Sequence, residues 1–114
     1  MAYSEYQADR IRERLKGISY SEKRMMGGLI FMVRDAMCVG LDFDKKANED
    51  RLMVRVGKLQ YEHLLNYQGS VAMNFTGREI RGFLFINASF FDQEDQLDFW
   101  IQKGLEFNQL LTQE

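Results

Sequence analysis

The chain contains no proline, one cysteine and one histidine among its 114 residues. The lack of proline removes the usual rigid linkers, so the length favours a single domain over residues 1–114. Cys38 has no second cysteine for an internal disulfide, which favours a reducing, cytoplasmic location. His63 has no cysteine or second histidine at ligand spacing, so the sequence predicts neither a metal site nor a bound cofactor.

Long apolar runs and an excess of positive charge are also missing. No segment approaches the ~20 apolar residues that cross a bilayer, and the start, MAYSEYQADR, has no apolar signal-peptide region. Fifteen Lys and Arg residues against seventeen Asp and Glu give a formal net charge of -2. We therefore expect no membrane partner and do not favour duplex nucleic acid. Nucleic-acid binding through a local patch stays an alternative, with the residues Lys23, Arg24, Arg55, Arg78 and Arg81.

Three segments have the pattern of amphipathic helices. Ser4 followed by Gln7 predicts a capping box at the start of the first. The second covers residues 58–68, and Asp92 is predicted to cap the third. Gly104 interrupts the third helix and predicts a close approach to the sheet. The apolar stripes comprise Ala8, Ile11 and Leu15, then Tyr61, Leu64 and Leu65, then Leu97, Trp100, Ile101, Phe107 and Leu111.

Five segments have the pattern of strands. They are residues 25–33, 36–43, 51–56, 71–75 and 81–87. Within residues 51–56 the side chains alternate, so that Leu52, Val54 and Val56 share the buried face. Gly27 and Gly28 lead into a strand, which predicts a bulge or a close backbone approach and not a phosphate loop. The order α-β-β-β-α-β-β-α predicts a two-layer α+β fold, a five-stranded, mainly antiparallel sheet with the helices on one face.

The residues that could carry catalysis are scattered. Cys38 stands in the middle of a predicted strand, where a buried and unreactive thiol is expected, and a dyad with His63 has no support from the sequence. The carboxylates fall on loops and helix starts, without the apolar surroundings that raise a pKa for acid–base work. We therefore predict no catalytic residues and no enzyme. An enzyme that uses Cys38 is kept as an alternative.

The stretch RGFLFI, residues 81–86, partly matches the RNA-reading strand of an RRM. Leu84 and Ala88 replace the small and aromatic residues of that pattern. An RRM also requires a β-α-β-β-α-β order, which the predicted elements do not follow. RNA binding through this strand is therefore not favoured.

Several short motifs occur in the order seen in TfoX/Sxy N-terminal-domain proteins. They are Lys23-Arg24-Met25-Met26-Gly27-Gly28, Leu52-Met53-Val54-Arg55-Val56-Gly57, Met73-Asn74-Phe75-Thr76-Gly77-Arg78, Arg81-Gly82-Phe83 and Trp100-Ile101-Gln102-Lys103-Gly104-Leu105. The resemblance covers about residues 4–111. One departure is Met26, where the family usually has an aromatic residue before Gly-Gly.

The resemblance implies a fold and a general role. It implies a two-layer α+β domain related to secretion-chaperone-like and YgaC-like folds, in a bacterial, non-enzymatic regulatory or protein-interaction module. Longer members of the family regulate natural competence and carry a second, helical domain. Because this chain ends after its last predicted helix, we expect a stand-alone N-terminal domain. The family pattern brings no catalytic residues to this sequence.

The sheet face opposite the helices is the candidate interaction surface. It is predicted to carry Arg51, Met53, Arg55, Arg81, Phe83 and Phe85. An exposed mixture of aromatic, Met and Arg side chains is typical of an interface with a protein partner or of a homodimer. The alternative is that a helix or the C-terminal tail covers this face and makes it part of an ordinary core.

Overall fold

The computed structural model describes residues 3–25, 27–75 and 77–112. Met26, where the sequence departs from the family pattern, and Thr76, which belongs to another of the family motifs, lie outside the described residues. The elements are α1 (Glu5–Arg14), β1 (Tyr20–Met25), β2 (Gly28–Val33), β3 (Ala36–Asp44), β4 (Glu49–Arg55), α2 (Lys58–Leu65), β5 (Ser70–Phe75), β6 (Arg78–Asn87), a 3-10 turn (Ala88–Phe90) and α3 (Glu94–Thr112).

The described strands form one antiparallel sheet in the spatial order β1-β2-β3-β4-β6-β5. The predicted α+β class with an antiparallel sheet and three helices is therefore confirmed, but the prediction of five strands is wrong because there are six. The additional strand is β1, and five of its six residues are exposed. A charged, exposed edge strand has no apolar alternation from which it could be predicted.

Two tight hairpins connect the first three strands. The predicted strand over residues 25–33 divides where Met25 pairs with Gly28. A Cβ on Gly28 would collide with the backbone carbonyl of Leu41, so the predicted close backbone approach is confirmed. Arg34 and Asp35 connect β2 to β3 with φ angles of 51° and 65°, the left-handed backbone that a two-residue hairpin favours.

The two faces of the sheet are buried in different ways. The three helices lie on one face, where they form the main core with Phe31, Leu52, Val54 and other inward strand residues. The opposite face has a smaller cluster of four buried residues, Ile30, Met53, Met73 and Phe85, all of which come from strands. The predicted alternation in β4 is therefore confirmed.

A bulge in β3 interrupts the alternation of faces along this strand. The pairing of β2 with β3 shifts between Phe31 and Met32, so that Cys38 is an extra residue between Met37 and Val39. Met37 consequently packs against the smaller cluster while Val39 joins the main core, whereas a regular strand would place both on one face. The bulge brings Cys38 under Gly104 of α3, where an added Cβ would lie 3.4 Å from the Cys38 Sγ atom. The predicted close approach at Gly104 is thus confirmed.

Ser4 is the N-cap residue of α1 as predicted, but the predicted capping box and the predicted cap at Asp92 are wrong. Ser4 precedes α1, but its side chain makes no capping hydrogen bond, and the Gln7 Oε1 atom accepts one from Arg10 instead, at 2.9 Å. Arg10 also donates to the backbone oxygen of Asp92 at 3.0 Å and to Glu94 Oε2 at 3.1 Å. Helix α3 begins at Glu94, two residues after the predicted cap. The buried Arg10 therefore takes up the Gln7 side chain that the predicted capping box requires, and it links α1 to the start of α3.

Candidate functional site

The six residues of the predicted interaction surface fall into two groups. Arg51, Met53 and Phe85 lie over the smaller apolar cluster. Arg55, Arg81 and Phe83 line a cleft at the end of the sheet. Phe83 also packs against the smaller cluster, so it borders both groups.

The region around Phe85 is closed by its own side chains. Met53 is 4% exposed and Phe85 is 7% exposed, although the described part of the chain contributes no helical residue to this cluster. The Arg51 guanidinium lies 3.7 Å from the centroid of the Phe85 ring. Its Nε and Nη2 atoms donate to the two carboxylate oxygens of Asp42 at 3.0 and 2.8 Å. Phe85 is thus covered by Arg51, and Arg51 is paired with Asp42. The predicted exposed aromatic patch is not found here, and among the described residues no helix covers Phe85.

Arg81 does not point to the same side as Phe85. Its Nη2 atom lies 2.7 Å from Glu62 Oε1 on α2, and its guanidinium is 5.2 Å from the ring centroid of Tyr61. Gly82 follows with a φ of 95°, and the pairing of β5 with β6 is irregular there. A left-handed residue in a strand breaks the alternation of faces, so the predicted position of Arg81 beside Phe85 is wrong.

The cleft lies where β4 ends and α2 begins. It has a volume of about 550 Å³, within the range of ligand-binding clefts. Its walls come from the first turn of α2, the bulged part of β6 and the C-terminal half of α3. We call it the α2–α3 cleft, and the residues that matter below are Arg55, Lys58, Leu59, Phe83, Phe107 and Leu110.

The rim of the α2–α3 cleft is unusually apolar for a surface. Leu59 is 95% exposed, Leu110 is 62% exposed and Leu111 is 41% exposed. All three line the cleft, as do the half-buried rings of Phe83 and Phe107. Clustered exposed apolar side chains at a concave site indicate binding, whereas single ones do not.

The charge of the cleft is positive although the chain is acidic. Arg55, Lys58, Arg81 and Lys103 line it together with one acidic residue, Glu106. The Lys103 Nζ atom lies 3.6 Å from Glu106 Oε1, and Arg81 pairs with Glu62 as described above. Among the described residues, no carboxylate pairs with Arg55 or Lys58. The cleft therefore combines apolar walls with two cations, Arg55 and Lys58, that no carboxylate of the described residues neutralises.

Arg55 lies against two aromatic side chains. It is half-buried, and its guanidinium lies 5.4 Å from the ring centroid of Phe83 and 5.4 Å from that of Phe107. Such stacking holds the planar group in place while leaving its N–H donors available. Arg55 can thus present a fixed cation to an anion that enters the cleft.

Cys38 and His63 have different surroundings, since Cys38 is buried and His63 is exposed. Burial raises the pKa of the Cys38 thiol to about 12, and the cations of Arg34 and Arg55 only partly oppose this. His63 is exposed on α2 and packs edge-on against Tyr67, with 5.7 Å between the ring centroids. A thiol with so high a pKa is a poor nucleophile at neutral pH.

The described part of the chain has no group of metal ligands and no helix that could cross a bilayer. Across residues 3–25, 27–75 and 77–112, no three His, Cys, Asp or Glu side chains are grouped as metal ligands would be. None of the helices in those ranges is both long and apolar enough to cross a bilayer.

The basic residues proposed for nucleic acid are dispersed. Lys23 and Arg24 are exposed on the edge strand β1, whereas Arg78 begins β6. Strands β2, β3 and β4 lie between β1 and β6. Only Arg55 and Arg81 of this set come together, in the α2–α3 cleft.

The sequence interpretation missed several residues of the cleft. Leu59 and Leu110 lie outside the apolar stripes that pack α2 and α3. An apolar residue on the polar side of an amphipathic helix is the signal that could have identified them. Their meeting point still depends on how α2 and α3 pack, which no local pattern shows.

The chain has a clear family match. No curated protein matches it. Residues 15–108, however, match the TfoX N-terminal domain. This range includes all six described strands, together with α2 and most of α3. The chain therefore belongs to the TfoX N-terminal domain family.

Proposed function

We propose that this TfoX-like domain is a non-enzymatic regulatory module that binds a protein segment in the α2–α3 cleft. The observation that carries the proposal is the concentration of exposed leucines, Leu59, Leu110 and Leu111, around a cleft of about 550 Å³. Removing such side chains from water is the main favourable contribution to protein association.

The region around Phe85 supports the proposal less well than the cleft. Met53 and Phe85 are already buried, and Arg51 is held by Asp42. A partner at that place could remove little further apolar surface from water, and it would have to compete with an existing ion pair. The cleft, in contrast, offers apolar surface that folding leaves exposed.

The remaining parts of the proposal concern chemistry and location. The high pKa of Cys38 argues against thiol catalysis. The free cysteine is also the form expected in a reducing compartment, so we infer a cytoplasmic location.

The proposal can be tested by selecting binders from a random peptide library displayed on phage. Selected peptides are expected to lose at least about tenfold in affinity for the Leu59→Asp and Leu110→Asp variants, because a buried carboxylate replaces an apolar contact. Tyr6→Asp is the matched control, since Tyr6 is 68% exposed on α1 and does not line the cleft. Peptides that bind all three variants equally, or a selection without any cleft-dependent binder, would contradict the proposal.

Self-association is one form that the interaction can take. If a second copy of the chain occupies the cleft, light scattering will give a dimer mass that decreases to the monomer mass in the Leu59→Asp variant. A monomer at high concentration would exclude the homodimer and leave a different protein as the partner.

A further inference from the structure

Two arginines of β4 provide an internal comparison. Arg51 and Arg55 lie four residues apart on the same strand, and each is stacked on an aromatic side chain of β6. Arg51 is neutralised by a two-point hydrogen bond with Asp42. For Arg55 the described residues provide no carboxylate. Arg51 therefore has an anionic partner, whereas Arg55, in the same stacked arrangement, has none among the described residues.

A half-buried guanidinium without an anion is a costly arrangement for the free protein. Contact with the rings of Phe83 and Phe107 removes part of the hydration of the Arg55 guanidinium. No carboxylate of the described residues compensates for this loss. A carboxylate that binds there would make a charge-assisted hydrogen bond in a partly apolar site, where such bonds are strong. The arrangement favours an anionic group in the bound partner.

The neighbouring side chains narrow the chemistry of that partner. Lys58 adds a second cation without a carboxylate partner in the described chain, and Leu59 and Leu110 add apolar surface beside it. An occupant must therefore present apolar and acidic groups close together. Charge complementarity selects a segment with Asp or Glu next to leucine-like residues.

The strand pairing indicates how the segment binds. Strand β4 is paired with β3 and β6, and β6 is paired with β4 and, except where their register shifts beside Gly82, with β5. The described strands therefore offer the cleft no continuous free edge along which an extended peptide could add as a further strand. An amphipathic helix that lies in a groove binds through its side chains and needs no such edge.

We propose that the α2–α3 cleft binds an acidic amphipathic helix of a partner protein, with apolar residues against Leu59, Phe107 and Leu110 and a carboxylate on Arg55. This inference rests on the proposed function, since it specifies the partner of the same cleft. It adds a requirement for negative charge that a purely apolar groove would not have.

The test uses three synthetic helical peptides of about 15 residues that differ only in the polar positions beside a leucine stripe. One carries Glu at these positions, one carries Gln and one carries Lys. Binding to the full chain is measured by fluorescence anisotropy at low and high salt. The Glu peptide is expected to bind roughly tenfold more tightly than the Gln peptide, with a preference that decreases as salt is added.

Two variants of the protein connect this preference to the cleft. Arg55→Gln is expected to abolish the difference between the Glu and Gln peptides. Because loss of a stacked arginine can also disturb folding, Lys58→Glu provides an independent variant at an exposed position. It should weaken the Glu peptide and strengthen the Lys peptide. Lys46→Glu is the control, with the same change of charge at an exposed position in the loop at the other end of β4.

The possible outcomes separate this inference from the proposed function. If the Gln peptide binds as tightly as the Glu peptide, the cleft recognises apolar segments without a charge preference, and only this inference is wrong. If cleft-dependent binders emerge from the phage selection but all three designed peptides fail to bind, the helical occupant is wrong. A single-stranded oligonucleotide that displaces the Glu peptide and binds more tightly would overturn the inference in favour of nucleic acid. An equal effect of Lys46→Glu and Lys58→Glu would also overturn it, because the preference would then come from net charge.

Discussion

Replacing Gly57 with alanine should destabilise the domain strongly, because this glycine connects β4 to α2 with an unusual backbone conformation and lies against Phe107 in the cleft. Its φ and ψ angles are 83° and 160°, a combination that is essentially restricted to glycine and costs other residues about 1–3 kcal/mol. An added Cβ would also collide with the ring of Phe107, and such overpacking typically costs about 1–3 kcal/mol. We expect a loss of about 3 kcal/mol in the free energy of unfolding, or roughly 10–15 °C in the melting temperature.

Urea and thermal unfolding followed by circular dichroism can measure this loss. Gly17→Ala is the matched control, because Gly17 has a similar φ of 82° but nothing within 4 Å of an added Cβ. It should lose only the backbone contribution of about 1 kcal/mol. In a Phe107→Ala background the collision is absent, so the additional cost of Gly57→Ala should decrease to the backbone contribution. Equal costs for Gly17→Ala and Gly57→Ala, or an unchanged cost in the Phe107→Ala background, would refute the role of the Gly57–Phe107 contact.

Two other groups give predictions that depend on pKa. Since burial raises the pKa of Cys38 from 9.0 to about 12, its thiolate fraction at pH 8 falls from about one in ten to about one in ten thousand. A disulfide reagent should therefore label the native chain at least about a thousandfold more slowly than the urea-unfolded chain, and rapid native labelling would restore the thiol-enzyme alternative. Asp50 has a pKa raised by burial, so its folded carboxyl group holds a proton more tightly than the unfolded one, and this contribution to stability is lost as the pH rises through the raised pKa. Asp50→Asn can still accept the hydrogen bond from the Ser4 N–H and should increase the free energy of unfolding at pH 7 but not at pH 3, as compared by urea titration; an equal gain at both pH values would contradict this explanation.

Local patterns predicted the elements whose burial follows a simple period. The stripe of Ala8, Ile11 and Leu15 is buried on α1, and the alternation of β4 separates the main core from the smaller cluster. Strand β1 was missed because its exposed, charged residues follow no apolar period. Pattern arguments depend on a buried face, and an edge strand such as β1 has almost none.

The candidate site was only partly predictable for a related reason. Arg55 and Phe83 were identified because they share a face on paired strands, at a register in which they lie opposite each other. Arg81 was misplaced because the alternation ends at Gly82, whose φ is positive. Leu59 and Leu110 come from helices that the alternation of strands does not describe. Their position beside Arg55 is a product of tertiary packing.

Gly57 and Gly82 both line the cleft at this end of the sheet. The backbone N–H groups of Val56 and Gly57 both donate to the carbonyl oxygen of Gly82, at 2.8 and 3.1 Å. These two hydrogen bonds join the residues that follow β4 to β6. Protein interiors otherwise close to high packing density, as the region around Phe85 does under Arg51. An added Cβ on Gly57 would collide with Phe107, which packs directly over this backbone. Leu59, Leu110 and Leu111 remain exposed around the cleft, and this is why our proposal places the partner there and not at Phe85.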